Sequence, residues 1–285
     1  MNYRHGFHAG NHADVLKHVV LLALCDRLVS KPAPCFALDT HAGRGLYALD
    51  DEAARRTAEA DEGVARLLAR PPADPCVQRY LEAVRACRSL HGEHAYPGSP
   101  WMLAHALREG DRIACCELQP DEAAALKANF RNDPRIAAHR RDGYEAMKAL
   151  LPPLVDGRRF ARGLVLIDPP YESQLGEFDV ALAAMQAALK RWPQAIYALW
   201  YPIKRRRSLQ PFYRKARDLP AAGALSLELM VHPDDSPLRM NGSGLLLLNP
   251  PHNLDVALTG TLDALAVALA PAAPPPRIEW LRAAY

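Results

Sequence analysis

The chain has 285 residues, 49% of them apolar, enough to bury a sizeable core and to exclude a disordered or fibrous protein. Its formal net charge of +3 is only mildly basic, so contact with nucleic acid requires the charge to be clustered. The polar start MNYRHGFHAGNHADVLKH has no apolar leader core and no run is long enough to span a bilayer, so a cytoplasmic protein without a membrane partner is expected.

Residues 13–30 carry apolar side chains at helical spacing, which predicts an amphipathic helix ending near Ser30. CFALDTHAGRG (35–45) then runs from an apolar stretch into a glycine turn. Residues 51–93 are charged, rich in Ala and Arg and free of strand signals, with a break at Pro71, Pro72 and Pro75; they read as a helical insertion. YPGSP (96–100) is a turn cluster ahead of a helix at about 100–109. Strands at 112–120, 135–143, 163–171 and 195–202 then alternate with helical stretches, the last of these near 208–217. Two final strands, 225–233 and 242–251, are joined by a polar loop, and PAAPPP (271–276) reads as a surface stretch.

This alternation predicts an α/β fold with a doubly wound, mostly parallel, Rossmann-like sheet. The last strand must be antiparallel, because a parallel return needs a longer crossover. The main domain is 1–50 and 94–285, with 51–93 as a helical subdomain inserted in it. The six cysteines include no C-x-x-C pair, which argues against a zinc or dithiol motif. Cys115 and Cys116 point to opposite faces of one strand, and all six read as core thiols in a reducing compartment.

Ligands of open α/β sheets bind outside the carboxyl ends of the strands. The glycines of DTHAGRG stand at such an end, where they allow a close backbone approach; alone they also suit a plain tight turn. Glu117 ends the next strand. Its two oxygens can accept from vicinal ribose hydroxyls, although a lone Glu there is also an ordinary solvated strand end. Asp142 and Gly143 end the third, where Asp142 can accept from an adenine amine beside the space left by Gly143, or can cap the following helix. These three successive strand ends form a candidate ligand site.

The most specific feature is Asp168-Pro169-Pro170-Tyr171 after the apolar strand GLVLI. The prolines fix a rigid turn and remove backbone donors. The Pro169 carbonyl and the Asp168 carboxylate are then two acceptors for the two N–H groups of an amine on an aromatic ring, and Tyr171 can stack on that ring. Such an amine is a poor nucleophile because its lone pair is delocalised. Holding it in line with a sulfonium methyl supplies the orientation for methyl transfer. Asp168 acts as base or only as acceptor; the residues leave both open. The second PP, at Pro250-Pro251, lacks the aromatic residue and reads as a turn.

FHAGNHADVLKH (7–18), DTHAGRG (39–45), YPGSP (96–100), LIDPPY (166–171) and YALWYPI (197–203), in this order, resemble the bacterial family of 23S ribosomal RNA adenine-N6 methyltransferases known as large-subunit methyltransferase J. The resemblance covers most of the chain, helical insertion included. It implies a Rossmann-like class I methyltransferase fold, S-adenosylmethionine as cofactor, and methylation of the N6 amine of a single adenine in 23S rRNA. The implied cofactor residues are His18, His41, Ser99, Glu117, Asp142, Gly143 and Asp168. Asp168, Pro169 and Tyr171 are the implied catalytic set, with Asp168 beside the reacting methyl and amine. Tyr3, and more weakly Lys17, are the implied contacts to the RNA, so that 1–18 faces substrate and cofactor. Arg44 in the glycine turn is a departure that leaves the local charge open.

A metal site built from His5, His8, His12 and His18 is the alternative for the N-terminal segment; their spacing fits no zinc pattern, and no metal is expected. Lys204 to Arg207, with Arg140 and Arg141, suit phosphate contacts near the active face, although a solvated basic turn has the same composition. The expected partner is 23S rRNA, free or in an early assembly particle, met by a monomeric enzyme. A DNA adenine methyltransferase, a non-catalytic RNA-binding relic and a protein-glutamine methyltransferase are the rival readings. The small insertion argues against the first, and the retained Asp168, Tyr171, Glu117 and Asp142 against the second.

Overall fold

A computed structural model describes residues 8–51, 59–171, 175–238 and 240–283. The chain runs through helix α1 (His12–Val29), β1 (Phe36–Asp39) and β2 (Leu46–Ala48) to helices Glu59–Glu62, Val64–Ala69 and Pro75–His91. Strand β3 (Ala95–Pro97) and helix Ser99–Ala106 follow. Next come β4 (Arg112–Glu117), helix Pro120–Asn129, β5 (Ile136–Arg140) and helix Gly143–Leu150. The short strands β6 (Leu154–Val155) and β7 (Arg158–Arg159) precede β8 (Gly163–Ile167), helix Leu175–Arg191 and β9 (Ile196–Ile203). Helix Gln210–Arg217, β10 (Ala224–Met230), β11 (Gly242–Leu248), helix Leu254–Leu269 and β12 (Arg277–Arg282) complete it.

Eight strands form one sheet in the order β12-β10-β11-β9-β8-β1-β4-β5. Strands β5, β4, β1, β8 and β9 are parallel neighbours, whereas β11 is antiparallel to both β9 and β10. The antiparallel strand is therefore the expected one, but the chain does not stop there. Helix Leu254–Leu269 and the edge strand β12, antiparallel to β10, lie beyond it and were not anticipated. Leu254, Leu258, Leu262, Leu265 and Leu269 supply the buried stripe of that helix at spacings of three and four.

Helices cover both faces of the sheet, giving two cores. One holds α1 with helices Pro75–His91, Ser99–Ala106 and Leu254–Leu269; the other holds Gly143–Leu150, Leu175–Arg191 and Gln210–Arg217. The pleat of β4 sends Cys115 into the first core and Cys116 into the second, and all six cysteines are free thiols. Among the described residues, no helix is long and apolar enough to cross a membrane.

The helices of 51–93 leave and rejoin the main fold through the antiparallel pair β2–β3. The break expected at its prolines is there: Asp74 caps the next helix by accepting from the N–H groups of Cys76 and Val77, with Pro75 at its first position. Tyr80, Leu81 and Val84 of that helix are fully buried.

Helix α1 is enclosed almost all round, polar residues included, with Asp14, Lys17 and His18 all buried. Its start is set by Asn11, whose side chain accepts from the N–H groups of Ala13 and Asp14 at 2.9 Å and donates to Glu59 at 2.8 Å. Replacing Asn11 by Ala should cost about 1–2 kcal/mol of stability through the lost cap, read as a lower urea midpoint at unchanged slope. An unchanged midpoint would mean that α1 starts independently of this cap.

Candidate active site

Because β1, β4, β5 and β8 are parallel, their carboxyl ends share one edge of the sheet. Backbone bonds draw those ends together: Thr40 N–H to the Leu166 carbonyl at 3.0 Å, Ala42 N–H to Cys116 at 2.9 Å and Arg141 N–H to Glu117 at 3.1 Å. Gly43 and Gly45 take φ of +57° and +73°, and a Cβ on Gly43 would stand 2.1 Å from the Tyr47 hydroxyl. Only glycine meets both conditions. At Gly143 the sequence reading reserved space for a ring. The structure fills it with protein, since a Cβ there would lie 2.2 Å from the Thr40 carbonyl oxygen. Gly143 thus lets the helix Gly143–Leu150 press against the β1 turn.

Glu117 turns its carboxylate back into that turn. One oxygen accepts from Gly43 N–H at 2.9 Å and the other from Gln119 N–H at 2.7 Å. Burial raises its pKa, against the lowering effect of these backbone donors. Each oxygen has a second lone-pair direction for a ligand hydroxyl. Asp142 caps the helix that follows it, accepting from Glu145 N–H at 3.0 Å. Arg44 adds no bare charge, because its guanidinium is held in a two-pronged pair with Glu122, at 2.8 and 2.6 Å.

The densest electrostatics lie where α1 crosses the ends of β1 and β8. The Lys17 ammonium is 2.6 Å from Asp168 and 2.8 Å from Asp14, and only 4% of its side chain is exposed. Burial acts to lower its pKa, but the two carboxylates outweigh this and hold it well above the ordinary lysine value. Lys17, expected as an RNA contact, is therefore found inside, on the Asp168 carboxylate. Asp39, which the sequence reading did not single out, is fully buried at the end of β1. Burial pushes its carboxyl up to about 6, while the neighbouring Ser99 hydroxyl and Lys17 pull the other way. Its Oδ1 accepts from His41 N–H at 3.3 Å, and Oδ2 has no hydrogen-bond partner. Its signal was the first letter of DTHAGRG.

His41 bonds through Nδ1 to the Thr40 hydroxyl at 2.8 Å and meets the Tyr144 ring edge-on at 5.3 Å. Burial lowers its pKa to about 4, with Asp168 and Asp142 close enough to oppose the shift. His18, the residue after Lys17, bonds through Nδ1 to the Tyr96 hydroxyl at 3.1 Å. The site thus brings Lys17 onto Asp168 and His41 N–H onto Asp39, with Ser99 beside Asp39, and with Glu117, Asp142 and Gly143 around the adjoining glycine turn, while His18 turns to Tyr96. Tyr3 and His5 lie outside the described residues.

Pro169 is buried, and Tyr171 is anchored by its hydroxyl to the Trp200 carbonyl at 2.7 Å. Its ring stands 5.0 Å from Phe178 and 5.7 Å from Trp200, so its plane is fixed by packing. In the basic turn, Arg206 faces inward: it bonds to the buried Glu228 at 2.9 Å and to the Pro275 carbonyl at 3.0 Å. Lys204, Arg205 and Arg207 are exposed. The described N-terminal histidines form no metal-binding group. His8 pairs with Glu59 and His18 with Tyr96, and no group of three metal-binding side chains occurs among the described residues.

Comparison with known proteins adds an independent line. A family model described as "Ribosomal RNA large subunit methyltransferase D, RlmJ" matches residues 32–282. The chain is 38% identical over 275 residues to ribosomal RNA large subunit methyltransferase J of Escherichia coli (strain K12), covering 95% of each chain. It is 35% identical over 272 residues to the protein of that name from Haemophilus influenzae, again covering 95% of each. A crystal structure of a protein from Legionella pneumophila superposes with a TM-score of 0.83 at 30% identity, over 95% of this chain and 98% of that one.

Removing the buried ammonium tests the network. Lys17→Met should cost about 3–5 kcal/mol in urea unfolding, because two carboxylates are left without a cation. Adding Asp14→Leu should restore part of the loss. A single variant as stable as the parent would show that the pair contributes nothing.

Proposed function

The chain belongs to the RlmJ family of ribosomal RNA large subunit methyltransferases, and from that membership we propose how its residues perform the family's reaction. The reaction is transfer of the methyl group of S-adenosylmethionine to the N6 amine of one adenine in 23S rRNA, leaving S-adenosylhomocysteine. When bound, the cofactor supplies an electrophilic methyl on a positively charged sulfur.

The fit of this site to such a cofactor is supported by its charge. Asp14, Asp39 and Asp168 surround the single ammonium of Lys17, and Asp39 keeps an unpartnered, fully buried oxygen. A cluster of that composition favours a ligand cation, and the α-ammonium of the cofactor suits Asp39. Glu117 is assigned to the ribose hydroxyls. His18, His41, Ser99, Asp142 and Gly143 are assigned to the rest of the cofactor, with Gly143 acting through the shape it allows the β1 turn.

The chain's contribution to the chemical step is orientation. Lys17 grips one oxygen of Asp168 and leaves the other to accept from the target amine. The Pro169 carbonyl is the second acceptor, held by a turn that cannot relax, and Tyr171 offers a ring with a fixed plane for the base. Accepting both N–H bonds returns electron density to the nitrogen, and alignment with the methyl is worth up to about 7–11 kcal/mol in favourable cases. The single observation that carries this reading is the 2.6 Å pair between Lys17 and Asp168, which orients the catalytic carboxylate.

An adenine in a helix must be unstacked to reach this site, so an exposed loop or bulge of the rRNA is the natural target. We assign Tyr3 to the RNA and read the acting unit as a monomer on free rRNA or an early particle. We read 51–93 as a helical subdomain built onto the main domain. Lys204, Arg205 and Arg207 are assigned to phosphates, whereas Arg206 is committed to Glu228.

Methyl transfer to protein-free 23S rRNA, followed by nucleoside analysis, should yield N6-methyladenosine, and Asp168→Ala should lower turnover by at least about 100-fold with little loss of cofactor affinity. Label in duplex DNA alone would overturn the RNA assignment. Because the Asp39 carboxyl titrates at about 6 and a bound cation favours its ionised form, cofactor affinity should be full above that pH. Below it, affinity should fall by up to about tenfold per pH unit, and Asp39→Asn should flatten the profile. Replacing Lys204, Arg205 and Arg207 together by Ala should raise the KM for RNA and lower its salt dependence, with cofactor affinity unchanged. Equal loss of both affinities would place the effect in the fold.

A further inference from the structure

The basic turn leaves β9 at the same edge of the sheet where β8 ends in the Asp168 turn. Ile203 of β9 and Met230 of β10 both stand opposite Gly242 of β11, so the two strands end flush there. Two neighbours fix the main chain of the turn. The fully buried Asn241 side chain donates to the Lys204 carbonyl at 2.8 Å and to the Ser236 carbonyl at 3.1 Å. Arg206 N–H donates to Asp234 at 2.7 Å. Earlier in β9, the Trp200 carbonyl accepts from the Tyr171 hydroxyl at 2.7 Å. One strand thus joins the Asp168–Tyr171 turn to the basic turn, and Trp200 to Lys204 spans only about 13 Å of extended chain.

Beneath the turn lies Glu228, only 1% exposed. Its Oε2 accepts from Nε of Arg206 at 2.9 Å. Its Oε1 accepts from the Tyr213 hydroxyl, and from the Tyr201 hydroxyl at 3.3 Å. Tyr201 has then given its one proton to Glu228, so at 2.8 Å it accepts from the Ser226 hydroxyl. Every hydroxyl proton in this set has an acceptor. A Cβ on Gly244 would stand 2.6 Å from the Tyr201 hydroxyl, so the ring lies where only glycine leaves room. A buried carboxylate is costly without a cation, which holds the Arg206 side chain down while Lys204, Arg205 and Arg207 stay exposed around it.

We propose that Glu228 is a positioning residue for the RNA: by holding Arg206 it sets the turn 204–207 at a fixed distance from the Asp168 turn, so that Lys204, Arg205 and Arg207 meet the phosphates beside the target adenine in one preset arrangement. This rests on the assignment of those three residues to phosphates. A basic turn that had to be ordered on binding would lose affinity, and one already ordered avoids that loss. Sign separates positioning from attraction. By charge alone, removing an acidic group from under a phosphate-binding turn favours RNA. By positioning, the same change weakens RNA binding.

Glu228→Gln should raise the KM for protein-free 23S rRNA by about 5- to 10-fold, with kcat at saturating RNA and S-adenosylmethionine affinity within about twofold of the parent. Arg206→Met with Glu228→Leu exchanges the buried pair for apolar side chains. It should keep most of the parental stability in urea and still show the raised KM. In the Lys204→Ala, Arg205→Ala, Arg207→Ala background, Glu228→Gln should add less than about twofold, because the groups that it positions are gone. An unchanged or lower KM in Glu228→Gln would overturn the proposal. So would a parental KM in the apolar pair, which would make the effect one of stability, or an undiminished increment in the Ala background. If the triple Ala variant itself has the parental KM, the phosphate assignment fails and the proposal with it. A raised KM there, beside a parental KM in Glu228→Gln, removes the proposal alone.

Discussion

Lys17 carries its charge into a place almost without water, and the fold closes around that fact. An ammonium is buried at large cost unless carboxylates meet it, and here one comes from its own helix and the other from a strand end 151 residues later. The pair ties the N-terminal helix to the Asp168 turn after β8, to which the proposed function assigns the chemical step. The geometry that orients Asp168 is therefore the same geometry that closes the first core. An N-terminal segment that could have lain loosely over a sheet is instead fixed at His12–Val29 with its polar face inward.

The second constraint is the close approach of parallel strand ends. Thr40 sits against Gly143, Ala42 bonds to Cys116, and Glu117 holds the N–H of Gly43. The first needs a residue without a side chain and the last a carboxylate at a given register, and together the three contacts shape the rim at the carboxyl ends of the strands. The glycines serve the protein's own packing first. Gly143 shows this most directly, since the space it frees is occupied by the Thr40 backbone.

These features explain why residues at the site are polar yet buried. Asp39, His18, Tyr96 and Lys17 each carry a group that would be costly in an apolar interior. Lys17 and Tyr96 are met by partners from other elements. One oxygen of Asp39 is what a ligand ammonium would complete.

The order of strands and helices, the Asp-Pro-Pro-Tyr turn and the carboxylate of Glu117 at the end of β4 were all readable in the sequence, because periodicity, proline and strand-end position are local. The Asp156-Gly157 turn between β6 and β7, with φ of +51° and +74°, carried an equally local signal that was passed over. So did the leucine spacing of helix Leu254–Leu269, beyond what read as the last strand. Other features had no local signal. A lysine at helical spacing reads as a surface residue, and nothing near it announces that its partner stands 151 positions away. Arg206 looks like its exposed neighbours until Glu228 is seen beneath it, and Tyr80 looks like core until its hydroxyl meets Tyr96. Sequence alone determined the elements and the chemistry of each strand end. Which charges are buried, which are spent on each other and which are left for a ligand was decided only by the tertiary structure, because pairing energies depend on distance and burial rather than on position along the chain.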